Sequence, residues 1–126
     1  MNNVIQGSGF TIKESKFDFF FGRVTSSPRN LQRSLDNLEN LEKLGIREES
    51  DGKERLMQIF SEGLTAPEIL EDRQITEYGT NISRKVEVSG GEKAGAIVVR
   101  YFYPNNDLSE IPQITSILVL IYKQED

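Results

Sequence analysis

Hydrophobic residues change their spacing once along the chain, near Asp72, and the change separates a helical half from a strand half. Before it, Leu31, Leu35 and Leu38 recur at intervals of four and three, and Leu41 and Leu44 continue the stripe as it drifts round a helix axis. Ser27 and Pro28 mark the start: a serine hydroxyl accepts from the free N–H groups of a first turn, and proline has no N–H to leave unpaired there. Gly45 is the expected stop, because glycine tolerates the left-handed backbone that ends many helices. A shorter helix is predicted over Gly52–Gly63, with Leu56, Ile59 and Phe60 as its apolar face. Thr65, followed three residues later by Glu68 with Pro67 between, reads as a capping box for a single turn ending near Asp72.

After Asp72 the period is that of strands. Arg73–Tyr78 is the first and Asn81–Ser89 the second, with Ile82, Arg84, Val86 and Val88 on one face. Gly95–Tyr103 is the third, apolar on both faces apart from Arg100. Gln113–Lys123 is the last and most hydrophobic, so it belongs in a central or covered position. Short turns at Gly79 and at Gly90 with Gly91 join the first three, and residues 104–112 form a loop around Asn105, Asn106 and Asp107. The prediction is an α+β fold, with N-terminal helices packed on a four-stranded antiparallel β-sheet, a meander. Residues 1–15 are polar, with Gly7 and Gly9, and are expected as a loose N-terminal arm carrying at most a short strand at Phe10–Ile12. At 126 residues the chain is expected to form a single domain, 1–126.

Composition removes several chemistries. The chain has no cysteine and no histidine. Disulfides, thiolate metal sites and cysteine nucleophiles are gone, and so are the commonest general base and metal ligand. Acid–base work falls to Glu, Asp, Lys, Tyr or Arg, and a metal would need an all-oxygen site. No metal site and no cofactor is read from the residues. Gly90, Gly91, Glu92 and Lys93 lack the spacing of a phosphate-binding loop, no dinucleotide fingerprint follows a strand, and no serine sits in a nucleophile elbow. The net charge of −5 opposes non-specific nucleic-acid binding, though it leaves room for a local basic patch. No run approaches the roughly 20 apolar residues of a membrane span, and the first residues lack signal-peptide character. A cytoplasmic protein with no membrane partner is the expectation; a toxin domain cut from a larger exported chain would look the same.

Two features are open to more than one reading. Phe17, Phe19, Phe20 and Phe21 cannot all face one side of a helix or strand, so they form either a core anchor wrapped on two sides or an exposed platform for bases. Arg29 and Arg33 sit four apart on the helical stretch, and Asn37 and Asn40 continue that face. Two arginines and two amides beside a helix start suit a phosphate. The same face also suits simple solvation, with Arg33 paired to Asp36 or Asn37.

The stretch from Lys16 to Ile46 resembles the C-terminal toxin domains of bacterial polymorphic toxins, of the contact-dependent inhibition and Rhs-type systems. The matching positions are Lys16, Phe17, Phe21, Gly22, Asn30, Arg33, Ser34, Asn37 and Gly45, and downstream Tyr78 with Gly79 and the Thr115, Ser116, Ile117 segment. The resemblance covers about a quarter of the chain convincingly, and the rest by order of elements. It implies a metal-independent, ribonuclease-like toxin domain, similar to the broad group of barnase-like and RelE-like toxins, with RNA as substrate and a cognate immunity protein as partner. Carried over by position, Arg33 and Asn30 would hold phosphate and Thr115 would donate to it, with Lys16, Arg29 and Asn37 alongside. Arg100 or Tyr101, and Tyr78, join the candidates from the strand reading. The candidate catalytic set is thus Arg33, Thr115 and Tyr78, and the candidate phosphate-binding set Lys16, Arg29, Asn30, Asn37 and Arg100.

One position departs from the pattern. Arg29 stands where the family has histidine, and losing a general base lowers a rate by about two to four orders of magnitude. Arginine keeps the charge but does not release a proton near neutrality. The alternative is therefore a non-catalytic interaction module on the same fold, binding a protein partner or itself. The acidic balance, the missing histidine and the apolar last strand favour it.

Overall fold

The computed structural model describes residues 3–24 and 26–123. The chain opens with two short strands, β1 (Val4–Gln6) and β2 (Thr11–Lys13), followed by three helices, α1 (Ser15–Phe20), α2 (Pro28–Lys43) and α3 (Gly52–Gly63). A single 3-10 turn at Leu70–Asp72 leads to β3 (Gln74–Ile75), β4 (Gly79–Val88), β5 (Gly95–Pro104) and β6 (Gln113–Ile121).

The sheet corrects the expected meander. It has six strands in the order β1-β2-β6-β5-β4-β3, and it is mixed. β4, β5 and β6 do form antiparallel neighbours, but β2 runs parallel to β6, pairing Thr11 with Gln113 and Ile12 with Ile114. The expected loose arm supplies both extra strands. Its residues order because Phe10 and Ile12 are buried in the core and the Thr11 N–H donates to the Pro112 carbonyl at 2.9 Å. Turn signals reveal only neighbouring hairpins, and a parallel pair separated by most of the chain leaves no local mark. The first expected strand is also shorter, reduced to Gln74–Ile75 at the sheet edge.

Helix α2 begins and ends as its residues dictate. The Ser27 hydroxyl accepts from the Asn30 N–H at 3.1 Å, with Pro28 in the first turn. At the other end Gly45 takes φ +83, the Ile46 N–H reaches the Leu41 carbonyl and the Gly45 N–H that of Glu42, a Schellman closure. The apolar stripe is shifted from the expected one. Leu41 and Leu44 are buried, while Leu35 is 42% exposed and Ser34 is fully buried in its place. The Thr65 hydroxyl donates to the Glu62 carbonyl at the end of α3, so it prolongs that helix end instead of capping a new one.

The helices cover one face of the sheet. Ile82, Ile97, Val99, Tyr101, Ile114 and Val119 meet Leu41, Leu56, Phe60 and the aromatic run there. Phe17, Phe20 and Phe21 are all buried, and Phe17 and Phe20 meet edge to face with ring centroids 5.9 Å apart. Among the described residues no helix is long and apolar enough to cross a membrane.

Candidate active site

The site is built where β2 leaves the sheet. β2 pairs β6 only through Gln113 and Ile114, then the chain turns into α1, whose first turn carries Lys16. At the same level β6 contains a bulge: Tyr101 pairs Ile114 and Arg100 pairs Ser116, which leaves Thr115 as the extra residue. A bulge bends its strand and re-aims a side chain. Helix α2 packs along β6 and against α1, and brings Arg33 to the same place. The result is a cavity of about 260 Å³ lined by Lys16, Phe19, Phe20, Arg33, Thr115, Ser116 and Ile117.

Its electrostatics are one-sided. Among the described residues no carboxylate lines the cavity. Among the described residues neither Lys16 nor Arg33 forms an ion pair. Asp36, the expected partner of Arg33, instead accepts from Gln32 at 2.9 Å. Arg33 lies over the Phe19 ring. Burial of the Lys16 ammonium, with Lys13 nearby, holds its pKa below the ordinary lysine value. Two cations, one of them partly desolvated, and two hydroxyls, of which that of Thr115 donates to the Arg100 carbonyl at 3.4 Å, are groups whose chemistry suits an anion. Among the described residues no three His, Cys, Asp or Glu side chains gather in a way that would hold a metal ion.

The remaining candidates lie elsewhere. Asn30 is spent on the start of α2, where its side chain donates to the Ser26 hydroxyl at 3.0 Å. Arg29 is exposed in the same turn and does not line the cavity. Tyr78 is 74% exposed in the turn before β4, which is separated from β6 by β5. Arg100 alternates with the core residues Val99 and Tyr101, so it leaves the opposite face of the sheet, where it donates to Gln74 at 2.5 Å. Tyr101 is fully buried, donates to the Phe60 carbonyl at 2.6 Å, and has a pKa raised by burial. Asn37 lies beside the cavity, in a second hollow that shares Arg33 and Ile117 with it.

Phe19 positions Arg33, Lys13 acts on Lys16, and Ser34 ties α2 to α1 by donating to the Phe19 carbonyl at 2.6 Å. Phe19 and Ser34 were named from the sequence without these roles, and Lys13 was not named. For Ser34 a signal existed: it falls at the helical spacing of Leu31, Leu38 and Leu41, where a polar residue implies a buried hydrogen bond. Another hollow, of about 270 Å³, lies on the far side of α1, but its arginine is already paired. Arg23 there bonds Asp18 at 2.8 Å and also Glu48, and Lys53 lies over Phe17.

The fold is similar to that of a chain in a toxin complex. That solved structure is a contact-dependent growth inhibition toxin–immunity protein complex from Klebsiella pneumoniae 342. The match has a TM-score of 0.68, covers 86% of this chain and 97% of the other, and holds at 16% sequence identity. The likeness is one of fold. No family model and no curated protein matches the chain.

Proposed function

We propose that the chain is a toxin-related domain whose cleft between α1, α2 and β6 holds an RNA phosphodiester and cleaves it without a metal ion. The observation that carries this reading is the convergence of Lys16, Arg33 and Thr115 on one carboxylate-free cavity. The fold likeness to a chain of a contact-dependent growth inhibition toxin–immunity complex supports it. A cognate immunity protein is the matching partner.

The chemistry follows from the donor set. Arg33 and the Thr115 hydroxyl bind the non-bridging phosphate oxygens and meet the charge that grows on them, and one such donor contributes about 10²–10³ in rate. The ribose 2′-hydroxyl attacks phosphorus: the O2′–P bond forms and the P–O5′ bond breaks. Lys16 in its neutral form takes the 2′-hydroxyl proton, and solvent protonates the leaving O5′. Burial lowers the lysine pKa, so the neutral fraction exceeds that of an ordinary lysine.

The second reading keeps the fold and drops the turnover. It is favoured by Arg29 in the histidine position and by the net charge of −5. Incubating the purified chain with total bacterial RNA, with and without chelator and beside Arg33→Ala, separates the two. Discrete cleavage that survives chelator and needs Arg33 supports the ribonuclease. Intact RNA with both proteins folded supports the binding module.

A further inference from the structure

We propose that the second hollow beside the cleft is a nucleobase subsite in which Asn37 and Asn40 read the edge of a base. The inference rests on the reading of the first cavity as a phosphate site. The second hollow, of about 280 Å³, runs between α2 and β6 and shares Arg33 with the first. A single nucleotide therefore places its phosphate against Lys16, Arg33 and Thr115 and its base one step further along α2.

The lining suits a base and not a second phosphate. Asn37 and Asn40 are one helical turn apart and both half-buried. Among the described residues neither amide side chain makes a hydrogen bond. Each amide offers an acceptor and two donors, none of them occupied by a protein group among the described residues. A base edge presents donors and acceptors side by side and satisfies them; phosphate presents acceptors alone. Asp36, at the same hollow, repels a second phosphate. Opposite the amides, Ile117 and Val119 alternate on β6 and form an apolar wall for the base to lie against.

The test titrates the full chain with inorganic phosphate and with each of the four nucleoside 3′-monophosphates, followed by residue-resolved NMR. All five move the signals of Lys16, Arg33 and Thr115, and one nucleotide binds at least about tenfold more tightly than the weakest. Asn40→Leu, or Asn40→Ala should the first variant fold poorly, brings the four within about twofold of one another while inorganic phosphate binds as before. Four equal affinities in the natural chain, or a preference that survives both substitutions, overturns the subsite alone. Phosphate that leaves Lys16, Arg33 and Thr115 unmoved overturns the phosphate cleft, and the subsite with it.

Discussion

The Arg33 guanidinium lies over the ring of Phe19, 5.4 Å from its centroid. The contact joins α2 to α1 at the mouth of the cleft. It holds the arginine through the ring face and leaves the N–H donors free for a ligand. Phe19 thereby differs from Phe17, Phe20 and Phe21, which are buried.

Arg33→Ala is expected to remove function and spare the fold. An exposed cation–π contact contributes about 0.5–1 kcal/mol, so the melting temperature moves little. On the proposed ribonuclease reading, RNA cleavage falls by about 10²-fold or more, the usual loss for a group meeting transition-state charge. Arg33→Lys keeps the charge but loses the planar fork, and recovers only part of the rate. Cleavage assays beside thermal melts check this; an unfolded Arg33→Ala protein would make the residue structural.

Ser34→Ala is expected to do the opposite. Ser34 is fully buried, its hydroxyl donates to the Phe19 carbonyl and it sits 3.4 Å from the Val24 N–H. Removing it strands a buried carbonyl and destabilises the chain by about 1–2 kcal/mol. A denaturant titration reads that as a lower midpoint. Because α1 carries both Lys16 and Phe19, a loosened α1–α2 joint also weakens the proposed phosphate binding.

Two groups give stability opposite pH dependences. The folded pKa of Lys16 lies below the ordinary 10.5, so between that lowered value and 10.5 the unfolded chain holds more protons and stability rises with pH. Lys16→Met removes this rise. The folded pKa of Tyr101 lies above the ordinary 10.0 because the phenol is buried, so its contribution is complete below pH 10.0 and is lost as pH climbs beyond it. Tyr101→Phe removes that fall. Denaturant midpoints of the two variants from pH 7 to 11 separate the slopes, and a variant profile parallel to the natural one contradicts the assignment for that residue.

Gly63 and Tyr101 are coupled. A Cβ on Gly63 would sit 2.2 Å from the Tyr101 hydroxyl, which is itself fixed by the Phe60 carbonyl. Gly63→Ala overpacks this point and costs about 1–3 kcal/mol. Tyr101→Phe loses the hydrogen bond, about 1 kcal/mol. The double variant relieves the clash, so its cost is less than the sum, by about 0.5 kcal/mol or more in a double-mutant cycle. Strict additivity would show that the two do not touch.

Much of this protein is written locally. Ser27, Pro28 and Gly45 bound α2 because caps and stops act within a few residues. Alternating Ile82, Val86 and Val88 set β4 into the core, and the Asn105, Asn106 turn follows from the ease with which asparagine takes positive φ. Even Lys16, Arg33 and Thr115 were candidates from the chain alone, through a resemblance. Their meeting was not. It depends on β2 pairing parallel to β6 across most of the chain, on a bulge that singles out Thr115, and on α2 lying along β6. The same geometry sends Arg100 to the far face and leaves Tyr78 in a distant turn. Long-range pairing and packing are satisfied by the folded chain as a whole, and hydrophobic spacing records which face of an element is buried but not against which partner.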